Sequence, residues 1–191
     1  MIILASASPR RQELLAGLGL EFEIEPATEE EKAAANLSPG ETVMFLAAQK
    51  ALSVAKKHPD DLVIGADTLV FQGSEALGKP QNPEDAFRML RLLQGKEHQV
   101  YSGLAAAQGD KLVLDYQKTR VFFRELSEAE IRAYIATGEP FGKAGAYAIQ
   151  GLAALFISGI IGDYFNVVGL PLERLGKLLQ NFGLDLLKNT L

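Results

Sequence analysis

Apolar and polar positions along this chain change period repeatedly, and each change predicts a new element. Ile2 to Ala5 is a short continuous apolar run, the pattern of a buried strand. After a Ser-rich turn, Pro9 suits a first helical position, and Leu14, Leu15 and Leu18 recur at helical spacing until Gly19. Phe22 and Ile24 alternate with Glu21, Glu23 and Glu25, predicting a half-exposed strand; Thr28 to Glu31 reads as a solvated acidic loop. Ser38-Pro39 opens a long helix through Val43, Leu46, Ala47, Lys50, Ala51 and Val54, ending near His58-Pro59. Leu62 to Ala66 is again continuously apolar and leads into Asp67, which predicts a central strand with an acid at its carboxyl end. Asn82-Pro83 starts a helix running through Met89, Leu90 and Leu93 to Gly95. The β-rich stretches His98 to Ala107 and Leu112 to Phe123 are expected to pair through Gln108-Gly109-Asp110. Ser127 with Glu130 is a capping-box signature for a helix reaching Thr137. A Gly-rich loop from Gly142 to Gly151, an apolar strand near Leu155 to Ile161 and a last helix from about Leu172 to Phe182 complete the series.

Strands alternating with helices point to a mixed α/β fold. At 191 residues the chain is close to the ~150 of a typical domain, and with no repeat or linker visible, 1–191 reads as one domain. The hydrophobic fraction of 48% and charged fraction of 23% exclude a disordered chain. A net charge of -5 argues against a broadly basic face for polymeric nucleic acid, so any phosphate binding must be local. The absence of cysteine removes disulfides, thiolate metal sites and a cysteine nucleophile. The apolar start is too short for a signal-peptide core, and Leu152 to Ile161 falls short of the ~20 residues of a membrane span. A cytoplasmic protein that does not enter the membrane is expected.

Candidate chemistry concentrates in a few places. Ser6-Ala7-Ser8-Pro9-Arg10-Arg11 lies between a strand and a helix start, where hydroxyls, unpaired amides and guanidinium groups suit a triphosphate. The alternative is that Ser8 only caps the helix while the arginines face water. Adjacent arginines cannot share a helix face, so one aims at a ligand while the other steers or braces. Asp67 sits where open α/β sheets bind ligands and suits Mg²⁺ binding or deprotonation of water, or else caps a turn. Gly73 to Lys79 imitates a phosphate-binding P-loop, but Pro80 stands where a Ser or Thr should hold Mg²⁺, so a P-loop is rejected; a kinase-like or nucleotidyl-transferring enzyme stays as a rival that Pro80 counts against and that a second phosphorylated product would revive. Lys79 remains a point charge for phosphate or a plain surface lysine. In Gly138 to Gly151 the glycines permit close backbone approach, Lys143 offers charge and Gln150 offers an amide to a base edge, the alternative being a plain Gly-rich turn. His58 and His98 lack partners at metal-ligand spacing and read as surface or loop-supporting residues.

These residues resemble the Maf family of nucleoside triphosphate pyrophosphatases. The likeness runs from Leu4 to about Leu179 in order: Ser6 to Arg11, Leu46-Ala47 with Lys50-Ala51, Gly65-Ala66-Asp67-Thr68, Gly78-Lys79-Pro80, Lys143-Ala144-Gly145-Ala146-Tyr147 with Ile149-Gln150-Gly151, and Val167 to Leu172. It implies a two-lobed Maf/ITPase-like fold, with a central mixed sheet flanked by helices and a deep cleft. It also implies hydrolysis of a nucleoside triphosphate to monophosphate and pyrophosphate with a divalent cation, Mg²⁺ or Mn²⁺. On this likeness Asp67 is the proton acceptor and, with Glu31, the metal-binding acid. Ser8, Arg10, Arg11, Lys50 and Lys79 handle phosphate, and Arg10, Thr68 and Gln150 fall on substrate-selecting positions. The Gln150 form resembles the branch acting on dTTP and UTP, because a neutral amide complements a uracil or thymine edge. Gly142 departs from the family's usual Asp. The implied role is clearance of noncanonical nucleotides, the alternative being a nucleotide-binding regulator of septum formation without turnover. The sequence leaves open whether the chain forms a homodimer.

Overall fold

The computed structural model describes residues 1–28 and 36–188. Strands β1 (Ile2–Leu4), β2 (Glu23–Ile24), β3 (Leu62–Gln72), β4 (Glu75–Leu77), β5 (Glu97–Gln108), β6 (Lys111–Phe123) and β7 (Ile157–Ile161) form one mixed seven-stranded sheet in the order β2-β1-β3-β5-β6-β7, with β4 paired to β3. Helices α1 (Pro9–Ala16), α2 (Pro39–Ala55), α3 (Pro83–Leu93), α4 (Glu128–Ala136), α5 (Tyr164–Val168) and α6 (Leu172–Gln180) accompany the strands; all but the short α5 answer to a helix of the sequence pattern. Among the described residues no helix is long and apolar enough to cross a membrane.

The chain divides into two compact units. The first holds Met1–Asp67, Ser102–Gln117 and Gly169–Leu191; the second holds Thr68–Tyr101 and Lys118–Val168. In the first unit β1 pairs in parallel with both β2 and β3, with Leu4 opposite Ile24 and Ile64. Leu4, Leu15, Ile64, Leu104, Leu170, Leu175 and Leu179 form one of its apolar clusters, all fully buried. A second cluster joins Ile3, Val63 and Ala105 to Ala47, Ala51 and Val54 of α2. Helix α2 starts on a complete capping box between Ser38 and Glu41, which satisfies amides at its first turn.

Small residues set how closely α2 approaches the sheet. A methyl group on Gly65 would lie 2.4 Å from the Ala47 carbonyl and 2.8 Å from the Ala51 amide; one on Gly103 would lie 2.1 Å from the Val43 carbonyl. The backbones therefore touch where any side chain would hold them apart.

The second unit has its own core, in which Leu90, Leu93 and Met89 of α3 pack with Val121, Phe123, Ile131, Tyr147 and Phe156. Here β3 turns back into β4 through Gly73, at φ 60°, and β6 pairs antiparallel with β7. Side-chain caps again mark the helix starts: a capping box of Ser127 and Glu130 on α4, and the Asn82 side chain accepting from Asp85 N on α3.

Several expectations need correction. Asp67 is not at the end of its strand; β3 continues to Gln72, because Leu69, Val70 and Phe71 resume the extended apolar pattern after one polar pair. The strand expected from Leu155 begins at Ile157, preceded by a 3₁₀ segment at Leu152–Phe156. His98 is not a surface residue: it lies on β5, 1% exposed, and supports the Gly142–Gly151 loop through Tyr147. Alternation along β5 turns its ring inward, where the Tyr147 hydroxyl meets Nε2 at 2.8 Å.

Candidate active site

The first unit carries the densest chemistry. Parallel pairing sets the scene: the Ala5 amide donates to the Ile64 carbonyl at 2.8 Å, and extending the β1–β3 register places Ser6 beside Ala66. Neighbouring strands lie about 4.8 Å apart, so the turn from Ser6 into α1 begins next to the segment that presents Asp67. These two stretches are far apart in sequence, and the parallel ladder brings them together.

Within that turn, Ser8 occupies the N-cap position of α1, yet its hydroxyl makes no capping hydrogen bond. Its amide donates instead to the Ser6 hydroxyl at 3.3 Å. Arg10 is half-buried on the first turn of the helix, and Arg11 is buried. The Arg11 guanidinium donates through Nε to the Gly169 carbonyl at 2.9 Å and through Nη1 to Ser6 Oγ at 3.2 Å. Arg11 therefore braces the turn against the chain entering α6. Gly169, at φ 125°, adopts a conformation that favours glycine and aims its carbonyl at the guanidinium. Ser6 and Gly169 stood in the quoted motifs without a role. Charge pattern does not reveal them, because their contribution is a hydroxyl and a main-chain carbonyl.

Asp67 is buried, 8% exposed, and Lys50 reaches it from α2: Nζ lies 2.6 Å from Asp67 Oδ1 and 3.4 Å from the Ala66 carbonyl. Both side chains are largely shielded, at 13% and 12% exposure, so the pair is a desolvated one that needs both partners. Its geometry follows from the glycine at position 65, which lets α2 lie against β3 closely enough for Lys50 to arrive. A carboxylate held this way can accept a proton from water, and the ammonium beside it can move onto a phosphate oxygen. Glu31, the other expected metal-binding acid, lies outside the described residues. Among those described, no group of three His, Asp or Glu side chains forms a metal cluster. One carboxylate suits Mg²⁺, which usually binds through one or two carboxylates plus substrate phosphates.

The second unit carries the remaining candidates. Thr68 follows Asp67 on β3 and is half-buried. Lys79 is exposed just after β4, and Gly73 to Lys79 is a hairpin turn and edge strand, not the strand-to-helix loop of a nucleotide-binding P-loop. Gly145 N donates to the Gly78 carbonyl at 3.0 Å, tying the Lys79 segment to the Gly-rich one. Gly145, at φ 67°, packs its backbone so closely on Val70 that an added methyl would lie 2.8 Å from it. Gln150 is exposed on a tight turn closed by the Gly151 amide on the Ala148 carbonyl at 3.0 Å. Gly142, at φ 76°, has open space around it. Asp is among the residues that tolerate that conformation, so the glycine removes a carboxylate without demanding a different backbone.

A mixed α/β sheet sets a lysine-paired carboxylate beside a Ser-Pro-Arg-Arg turn, an arrangement chemically suited to phosphate groups. The family model for Maf-like protein matches residues 1–182, and the chain belongs to that family. It is 54% identical over 188 residues to the dTTP/UTP pyrophosphatase of Pelotomaculum thermopropionicum, covering 97% of this chain and 98% of the relative. The dTTP/UTP pyrophosphatase of Desulforamulus reducens is 51% identical over 187 residues, covering 97% of this chain and 98% of the relative. Among solved structures, the Staphylococcus aureus Ham1 protein matches at 15% identity and a TM-score of 0.46, over 64% of this chain and 71% of that one. A HAM1 protein from Coxiella burnetii matches at 15% identity and a TM-score of 0.47, over 64% and 72%.

Proposed function

We propose that this protein hydrolyses dTTP and UTP to the nucleoside monophosphate and pyrophosphate. The observation that carries the reading is the buried Lys50–Asp67 pair on the strand neighbouring the Ser6–Arg11 turn, in a chain more than half identical to a dTTP/UTP pyrophosphatase. Asp67 accepts the proton of the water that attacks the α-phosphorus. Lys50 holds the carboxylate in place until phosphate oxygens offer it a competing partner. Ser8 and Arg10 contact the triphosphate, with Arg11 fixing the turn from behind while its charge adds to the local field. Lys79 is assigned to a phosphate, Thr68 to substrate selection, and Gln150 to the acceptor and donor edge of a uracil or thymine. Mg²⁺ or Mn²⁺ would be held by Asp67, with Glu31 as the proposed second acid, and would neutralise triphosphate charge when bound.

Purified protein incubated with UTP or dTTP and Mg²⁺ is expected to release pyrophosphate, and Asp67→Asn to lose roughly 10²- to 10⁴-fold in turnover while remaining folded. Pyrophosphate release by the Asn variant at the wild-type rate would remove Asp67 from the reaction. Binding of UTP with no pyrophosphate from the wild type would mark a regulator.

A further inference from the structure

The turn that displays Gln150 is anchored by a pair of residues with no assigned role. Tyr134, on α4, is 4% exposed, and its ring meets Phe156 edge-on at 5.0 Å. Its hydroxyl donates to Glu139 Oε1 at 2.8 Å. The Glu139 carboxylate then accepts from the Leu152 amide at 2.9 Å and the Ala153 amide at 3.2 Å. The chain leaving Gln150 is thus anchored: the residues two and three after it hang on Glu139, and the Tyr134 hydroxyl holds that carboxylate from the other side. Gly151 completes the device, since a methyl there would lie 2.4 Å from the Glu139 carboxyl group. Burial pushes the Glu139 carboxyl up, but the two amides, the Tyr134 hydroxyl and the charge of Lys143 outweigh it and keep the group below the usual carboxylate range. The group is therefore an acceptor for all three donors at neutral pH.

We infer that Tyr134 and Glu139 form a positioning pair that fixes the Gln150 turn and so sharpens the choice of nucleobase. The pair is buried or half-buried and bonds main-chain amides of the segment, so it acts through Gln150 and not on substrate. This rests on the reading that Gln150 meets the base. A side-chain amide distinguishes uracil from cytosine only if its oxygen and nitrogen are oriented, because the two bases exchange donor and acceptor at one edge. An unanchored turn would let the amide satisfy either.

The test is a double-mutant cycle on pyrophosphate release, using Tyr134→Phe and Glu139→Gln, each alone and combined with Gln150→Ala. The readout is the ratio of kcat/KM for UTP over CTP. Each single change at 134 or 139 is expected to lower that ratio roughly three- to tenfold, the scale of one lost hydrogen bond, and to lower it no further once Gln150 is Ala. Hydrogen exchange of the free protein supplies a readout independent of activity: the amides of Leu152 and Ala153 should exchange faster in Tyr134→Phe, while those of β5 do not change. If Gln150→Ala keeps the wild-type ratio, the assignment of Gln150 fails and the inference falls with it. If Gln150→Ala loses discrimination but the 134 and 139 variants keep it, or their losses simply add to that of Gln150→Ala, the pair is structural only and the inference is overturned alone. Unchanged exchange in both variants overturns it as well.

Discussion

His98 shows how much a single buried residue can tie stability to pH. Burial pushes its pKa down to about 4, with neighbouring Glu97 opposing the shift, while the unfolded chain titrates near 6.5. Above pH 6.5 both states are neutral at this site and nothing is lost. As pH falls from 6.5 toward 4 the unfolded chain binds a proton that the folded one refuses, so stability should drop by an amount on the order of 3 kcal/mol. Urea midpoints at pH 7, 5.5 and 4.5 would record this, and His98→Leu should flatten that part of the profile. The same variant strips the Tyr147 hydroxyl of its partner, which is expected to cost about 1–3 kcal/mol at every pH. The Lys50–Asp67 pair makes a complementary case. Asp67→Asn keeps an acceptor for the ammonium, whereas Lys50→Met strands a buried carboxylate. Thermal unfolding should therefore show Lys50→Met as the more damaging change, by up to about 3–5 kcal/mol.

At the scale of elements, Gly65 and Gly103 set how closely α2 approaches the sheet, and the small side chains Ala47, Ala51 and Val54 pack on it beside them. Gly65→Ala would drive a methyl into the backbone of α2, where no side chain can swing aside. A loss of at least about 1–3 kcal/mol is expected, together with reduced pyrophosphate release as Lys50 is carried away from Asp67. Gly73→Ala is the control: its φ of 60° is strained for alanine, but nothing lies within 4 Å, so about 1 kcal/mol and unaltered turnover are expected. Element boundaries were legible where local chemistry marks them. Ser38, Asn82 and Ser127 announce α2, α3 and α4 because each supplies a capping oxygen on the spot. The continuation of β3 past Asp67 was not legible, since a polar pair interrupts the apolar run that would have announced it, and only pairing with β4 shows the strand goes on.

For the whole molecule, each unit closes its own apolar core, the first around Leu104, Leu170 and Leu175, the second around Leu90, Leu93 and Ile131. Leu93→Ala and Leu175→Ala should each cost about 2–5 kcal/mol. Native-state hydrogen exchange should then locate the loss of protection mainly in the unit that holds the cavity; uniform loss would mean that the cores melt together. Substrate choice also belongs to this scale, because its proposed determinants are drawn from segments remote in sequence. Gln150→Glu is expected to depress UTP and dTTP hydrolysis more than that of other nucleotides in a panel assay, an equal loss on all of them arguing for a structural Gln150.

By itself the sequence determined the alternation of strands and helices, the helix starts and the motifs that resemble the Maf family, because these rest on neighbours a few residues apart. Only the tertiary structure decided that Arg11 turns inward to Gly169, that Lys50 caps Asp67, that His98 is buried and that Glu139 meets the amides of Leu152 and Ala153. Each of those partnerships depends on main-chain groups or on the other face of an element, and a linear pattern of side chains carries no record of which carbonyl or amide will meet which side chain once the sheet has formed.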